Sequence, residues 1–542
     1  MLNEARLSVA PRGSGRRLAT ALLSMAPLPL LLLVATVHAL PALLNAAELH
    51  SDAAVVGLQA RHLLHGEWSW FLWGSGYQTA TDTLTVGVLF RVLGATPLAL
   101  MLAAYLGHML LVCFAFGTLR RHFEAWPTAL LVAPLVVTTG PLHIYMFSPP
   151  RQASLTLVFA SIWLLDGAPR WRHSALALAA GAFVAGLSCF ADPYALLFLP
   201  ALALFLVLGA AFQPAPARMR ALAAGIAGGL AGLIPVWALT HSANASPGVF
   251  HLRADVVTHN LRLLREACLP YLLGTTAYYS PHEPLVQAWP APLWFRAIQL
   301  GGATLLLLGI AFGAIAVALR SIPFAVRRLA ILGAIMLPAT LGAFALSVMV
   351  MDRLSARYLV AIVLMAPFAL APALLLLGSR RFALLIAPFL TSAAVAGWLS
   401  HGNDVAGAHI VRHSARDSDE TLLGNELRER GVHGGLADYW VAYRLTFLFE
   451  ERVIIVPWHE KLDRYPPYRR AVASQARVAY IFDPWRSNEE LQFREAEIAA
   501  GKTDFAPTFQ SFQAGRYTVL LLQRTAGGDR RLAGHRVAGG SG

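Results

Sequence analysis

Long apolar runs separated by short polar turns fill the chain up to about residue 400, where the pattern shortens to the alternations that mark strands and amphipathic helices. A polar, arginine-bearing start at 1–17 precedes an apolar run from Leu18 to about Leu44, interrupted by Pro27, Pro29 and Pro41. That run is too long for the hydrophobic region of a cleaved signal peptide, so an uncleaved first span is expected. Further spans are expected at roughly 97–118, 127–147, 153–166, 174–191, 194–212, 221–240, 297–319, 329–351, 358–378 and 382–399, eleven in all with the first.

The polar stretch 45–96 lies between the first two spans and predicts two amphipathic helices. In one, Val55, Val56, Leu58, Leu63 and Leu64 oppose Gln59, Arg61, His62 and His65; the other covers 79–92. Trp68, Trp70, Phe71, Trp73 and Tyr77 between them predict an aromatic belt at headgroup depth. A second long loop, 241–296, holds an amphipathic stretch at 255–269, then Tyr271, Tyr278, Tyr279, Trp289, Trp294 and Phe295. That stretch is expected to be a passive interfacial helix or a lid over a lipid-facing cavity. Past residue 401, helices are expected at 419–431, 465–475 and 488–501, strands at 452–456 and 477–483, and a strand pair within 508–523. Such alternation predicts a small α/β domain over 401–524, and the Gly- and Arg-rich composition of 525–542 predicts a disordered tail.

Composition agrees with a polytopic membrane protein, since 57% of the 542 residues are hydrophobic and 13% are charged. The net charge of +13 is carried almost wholly by arginine, Lys461 and Lys502 being the only lysines. The arginines sit in pairs between spans, at 120/121, 170/172, 218/220, 320/327/328 and 380/381, so the positive-inside rule explains them better than nucleic-acid binding does. The same rule places the N-terminus in the cytoplasm, and 45–96, 241–296 and the C-terminal domain outside. Cys113, Cys189 and Cys268 are too scattered for a disulfide framework.

The first loop places four acids, Glu48, Asp52, Glu67 and Asp82, in apolar surroundings. Ser51 or Asp52 can cap the helix at 53–64; alternatively, a carboxylate at the mouth of a membrane cavity can take a proton from an acceptor hydroxyl or hold a metal. Glu67 beside the aromatic belt reads as a solvated loop acid. Asp192 before Pro193 reads first as a helix cap and second as a site acid. His50, His108, His143 and His282 have no metal-ligand spacing, so no metal site is assigned, although a divalent cation is compatible with the acids.

Three stretches together carry a family resemblance: ELHSDAAVVGLQARHLLHGE at 48–67, GSGYQTATD at 74–82, and DRLSARYL at 352–359 entering a late span. With many spans and an outer C-terminal domain, they resemble the GT-C superfamily of membrane glycosyltransferases. The nearest branch is that of protein O-mannosyltransferases and lipid A aminoarabinose transferases. The resemblance implies an α-helical polytopic, GT-C-like protein of the bacterial inner membrane with a small extracytoplasmic α/β domain. It implies transfer of a sugar from a polyprenyl-phosphate-linked donor to a lipid, glycan or protein acceptor on the outer face. By the same resemblance Asp52 matches the catalytic base and Asp82 a second acid of the loop. Where relatives have glycine after the Tyr77-Gln78 position this chain has Thr79, and Glu48, one turn before Asp52 on a continuous helix, stands in for an adjacent acidic partner. The donor phosphate requires cations at the outer headgroup level, where Arg357, Arg151, Arg61 and Arg353 are expected. Tyr77, Gln78 and Tyr358 are expected to line the substrate, as are Trp440 and Tyr443 of the aromatic stretch 437–444, one of the pair serving as domain core.

Two other classes compete. A transporter requires related halves and midplane charges, which the chain lacks, and a polysaccharide polymerase or ligase requires working cations in a large late loop, for which 241–296 is the candidate.

Overall fold

The computed structural model describes residues 26–168, 173–211, 215–240, 250–277, 291–399, 418–484, 488–501 and 505–524. Within them, eight helices are long and apolar enough to cross a membrane, from Pro27–Leu44 to Ala371–Leu399. Ala125–Val136 and Gly140–Phe147 are long and apolar enough only together, across a bend of 86°, and count as a ninth if the pair is one broken span. Pro134 and Pro141 flank this bend, and each ring removes a backbone donor where the helix turns. The expected eleven is not reached by length and composition. Gln152–Gly167 is apolar but short, and Ala371–Leu399 is kinked at Gly378, whose φ of 71° a side chain would resist. The expected tails at 1–17 and 525–542, residues 18–25 of the first span, and Tyr278, Tyr279, His282 and Trp289 lie outside the described residues.

An apolar core runs through the bundle, from Leu31 and Ala35 to Phe389 and Ala393. Charge enters it at one end, where Arg328, 4% exposed, faces Asp166 at 3.6 Å and donates to the Phe205 and Leu165 carbonyls. Pairing and carbonyl acceptors are what allow such a buried guanidinium.

The C-terminal domain is a five-stranded sheet of order β2-β1-β3-β5-β4, with β1 Gly434–Ala437, β2 Ile454–Pro457, β3 Arg477–Phe482, β4 Phe505–Ala514 and β5 Tyr517–Arg524. The first three strands are parallel, in the register Gly434↔Ile454 and Gly435↔Ala479, and β5 and β4 add antiparallel. Covered on both faces, the parallel strands read as near-continuous apolar runs, LA, IIVP and VAYIF, whereas edge strand β4 leaves Thr508, Gln510 and Ser511 exposed. Helix Tyr439–Leu448 connects β1 to β2.

That connecting helix lies on the first-loop helix Ser51–Leu64, and one apolar cluster joins Val55, Val56 and Leu58 to Tyr443, Phe447 and Val456. Gly57 permits the approach, because a β-carbon there would stand 2.8 Å from the Phe447 ring. Polar contacts fasten the edges of this interface. Arg61 pairs with Glu451 at 3.3 Å, and His62 bridges Glu451 and Glu67, each at 2.7 Å. The hydrogen bond to Glu451 is the main cause that raises the His62 pKa, against burial. Tertiary contacts therefore seat the C-terminal domain against the loop that carries Asp52.

Candidate active site

Helix Ser51–Leu64 starts two residues earlier than expected and its cap is neither Ser51 nor Asp52. The His50 ring accepts the Ala53 N–H at 3.2 Å through Nδ1, while Nε2 meets the Ser148 hydroxyl at 2.5 Å. Relieved of capping, the Asp52 carboxylate turns to the C-terminal domain. Tyr439 donates its hydroxyl to Oδ1, and the Arg464 guanidinium lies 3.5 Å from the same oxygen. Arg464 also donates to the Tyr439 hydroxyl at 2.9 Å and to the Gly74 carbonyl at 3.1 Å. Oδ2 has no protein partner among the described residues, and the side chain remains 26% exposed. Burial pushes the Asp52 carboxyl upward, but Arg464, His50, the Tyr439 hydroxyl and Arg357 together hold it below the usual carboxylate range. One oxygen is thus held and the other open on a group ionised at neutral pH.

Tyr439 opens the helix after β1 and Arg464 follows β2, so both come from the carboxyl ends of parallel strands, where open α/β sheets expose their working loops. Gly74, at φ 64°, lets the loop pass Arg464; a β-carbon would lie 2.6 Å from its backbone.

On the membrane side, Arg357 lies in the short 3-10 helix Arg353–Leu359 and donates to the Tyr358 hydroxyl at 3.2 Å. It makes no ion pair among the described residues, and it feels the attraction of Asp52 and the repulsion of Arg151. Arg151 is 15% exposed, pairs with Asp192 at 3.0 Å and donates to the Tyr145 hydroxyl at 2.8 Å. Its guanidinium stands 5.1 Å from the ring centre of Tyr194 and 5.6 Å from that of Tyr358. Gln78 donates to Asp192 at 2.6 Å, and the half-exposed Tyr77 lies within the electrostatic reach of Arg151, Asp192, Tyr358 and Arg464. Asp52, Arg357, Arg151, Tyr358, Tyr77 and Gln78 are therefore brought to one place.

Other expected residues are placed elsewhere or otherwise engaged. Asp82 does not face Asp52: its two oxygens accept the N–H groups of Arg151 and Ala153, each at 2.9 Å, and hold the start of helix Gln152–Gly167. This capping steadies Arg151, whose φ of 103° a non-glycine residue adopts only under constraint. Burial pushes the Asp82 carboxyl up to about 6, against the pull of the two N–H donors. Glu48 is not one helical turn from Asp52, because Leu49 is extended between a short 3-10 turn and the helix; its field reaches Arg444 instead. Arg61 lies nine residues along the helix from Asp52, about 13 Å at 1.5 Å per residue, and is spent on Glu451 and the carbonyls of Ala95 and Phe447. Arg353 stands half-buried at the far end of the Arg357 segment. Tyr443 is fully buried and accepts the Arg464 N–H at 2.6 Å, so it is the core member of its pair, while Trp440 meets the His50 ring edge-on at 6.3 Å. Thr79 keeps an ordinary backbone and its hydroxyl meets that of Thr81 at 2.7 Å, so no glycine is required there. No three His, Cys, Asp or Glu side chains converge on a metal-sized site among the described residues.

His50, Tyr439 and Arg464 escape sequence reasoning. For His50 a signal existed, a polar ring just before an amphipathic run, but nothing local marks Arg464, which lies some four hundred residues from its partner.

Asp82 makes a pH prediction. A carboxyl whose folded pKa is raised contributes stability that is present below the unfolded value and is lost as pH rises through the folded one. Between about pH 4 and about pH 6 the parent should therefore lose more thermal stability than Asp82→Asn, measured by the unfolding midpoint in one detergent. Equal slopes would remove the buried-carboxyl account.

Comparison with solved structures shows where this fold occurs. The chain superposes on ArnT from Cupriavidus metallidurans bound to undecaprenyl phosphate with a TM-score of 0.56 and 11% identity, over 94% of this chain and 99% of that one. The apo state of the same protein gives a TM-score of 0.45 and 11% identity, over 94% and 98%. No protein-family model matches the chain, and no curated protein does. At this identity the likeness shows the fold alone, and the expected class, a polytopic helical membrane protein with a small C-terminal sheet domain, stands.

Proposed function

We propose that this chain is an integral membrane glycosyltransferase that moves a sugar from a polyprenyl-phosphate-linked donor to an acceptor hydroxyl on the outer face, with Asp52 as general base. The observation that carries the proposal is the Asp52 carboxylate, ionised, anchored through Oδ1 by Tyr439 and Arg464, open at Oδ2 and within the field of Arg357. The acceptor oxygen bonds to the anomeric carbon as the bond from that carbon to phosphate oxygen breaks. The acceptor proton goes to Asp52, and the electron pair leaves with the polyprenyl phosphate. Arg357 meets the departing charge, since its donors face no carboxylate, while Arg151 is fixed by Asp192 and Tyr145 as a second, more distant cation. That the ArnT structure of the same fold was obtained with undecaprenyl phosphate supports this class of donor. The outer-face orientation rests on the basic turns between spans. Among the described residues, the arginines that act on Asp52 are Arg464 and Arg357, with Arg151 acting on Arg357, and none comes from 250–277 or 291–296, which weighs against the polymerase class.

Purified protein given a polyprenyl-phosphate monosaccharide is expected to release polyprenyl phosphate; failure with every such donor would overturn the assignment. Arg357→Lys keeps the charge and loses the planar fork, so donor affinity should fall by about tenfold to a hundredfold, and Arg357→Ala by at least as much. Parent-like donor binding in both variants would pass the role to Arg151.

A further inference from the structure

A cleft of about 740 Å³ opens between the first loop and the C-terminal domain, a volume within the range of small-molecule sites. Its lining runs from Glu67 and Ser69 through Trp73 and Gly74 to Tyr77 on one side, with Arg464 and Tyr465 on the other. Resting on the transferase function proposed above, we propose that this cleft is the acceptor site and that its acceptor is a neutral saccharide rather than a phosphorylated lipid.

Position comes first. Arg464 is shared between the cleft and the base: the guanidinium 3.5 Å from Asp52 Oδ1 also lines the cleft and donates to the Gly74 carbonyl. Tyr77, at the same end, lies within reach of the Arg151 and Tyr358 fields. An acceptor seated in the cleft therefore ends beside the base and the donor-side cations.

Charge then selects the chemistry. Among the described residues Arg464 is the only cation of the lining, and Asp52, Tyr439 and the Gly74 carbonyl already engage it. Glu67 contributes negative charge, bonded to the Tyr465 hydroxyl and to His62, each at 2.7 Å. A phosphate there would meet a carboxylate and no spare donor fork. Carbohydrate suits the remaining groups: Trp73 and Tyr465 stack with centroids 3.9 Å apart at 14° to form a rigid aromatic wall, and Glu67 and Ser69 offer oxygens to hydroxyl groups.

The test places full-length protein on immobilised neutral hexose and N-acetylhexosamine oligosaccharides and on their phosphorylated counterparts, with binding of undecaprenyl phosphate measured in parallel. Neutral glycans should be captured. Ser69→Trp, which fills the cleft, should weaken capture at least tenfold while undecaprenyl phosphate binding stays at the parent level. Should Ser69→Trp fail to fold, Glu67→Gln and Tyr465→Phe carry the test with the stacked rings in place, and each should weaken capture severalfold. No capture, capture of phosphorylated glycans alone, or capture indifferent to these substitutions would overturn the proposal. Loss of the transferase function reads separately, as undecaprenyl phosphate binding that is absent.

Discussion

Asp52→Asn is expected to lower turnover by about a hundredfold or more while leaving the fold and donor binding close to the parent's. The expectation follows from the division of labour at the start of the helix Ser51–Leu64. His50 satisfies the Ala53 N–H, so asparagine at 52 costs the helix no cap. Its amide still accepts from Tyr439, and the substitution removes only the charge and the basicity of the open oxygen. Alanine would remove the Tyr439 and Arg464 contacts as well and so confuse chemistry with docking. Because Arg464, His50, Tyr439 and Arg357 outweigh burial, the base stays ionised down to the low end of the carboxylate range. Tyr439→Phe takes away one of these supports and should shift the acid limb of the rate profile upward, a movement that a merely structural tyrosine would not cause. Sugar transfer by Asp52→Asn at the parent rate would remove Asp52 as the base.

Glu420→Gln or Arg444→Met should destabilise the C-terminal domain by about 3–5 kcal/mol, because each leaves its partner charged and buried. Arg444, 2% exposed, donates to Glu420 at 2.8 Å, to the Tyr517 hydroxyl at 3.3 Å and to the Ala47 carbonyl of the first loop at 3.2 Å. Arg516 and Tyr517 reach the same Glu420 oxygen at 3.0 and 2.8 Å. Burial alone would raise the Glu420 carboxyl; Arg444 and Arg516, with the Tyr517 hydroxyl, bring it down to about 2. A depressed carboxyl contributes stability that is present above its unfolded pKa and is lost as pH falls toward the folded one. The deficit of Glu420→Gln should therefore be full at neutral pH and shrink between about pH 4.5 and about pH 2, as read by thermal unfolding. Since Arg444 also holds Ala47, Arg444→Met should further loosen the domain from the first loop, visible as faster hydrogen exchange over 47–64. An unfolding midpoint at pH 7 equal to the parent's in either variant would refute the buried network.

What the chain alone determined about this protein is what depends on neighbours along it. Hydrophobic length marks the apolar spans, and alternation with glycine stops marks the helices at Asp419–Glu429, Pro466–Ala473 and Asn488–Ala499 and the strands β2 to β5. Strand β1 was not legible, since GGLA is too short and glycine-rich to show a period, and its helix Tyr439–Leu448 was seen only as an aromatic stretch. Asp52, Arg357, Arg151, Tyr77 and Gln78 could be singled out because the polar segments that hold them, read together, resemble those of a membrane glycosyltransferase family. Which acid stays open was decided only in three dimensions: Asp82 and Asp52 are alike in sequence, each in the first turn of an amphipathic helix. Packing sets Asp82 against the N–H groups of Arg151 and Ala153 and consumes both its oxygens, whereas His50 takes the capping duty that frees Asp52. Tyr439 and Arg464 reach Asp52 across some four hundred residues because burying Phe447 and Tyr443 against Val55, Val56 and Leu58 draws the C-terminal domain onto the first loop. Apolar burial has no directional preference of its own, so it can choose the partner surface but leaves no local mark on the arginine it delivers.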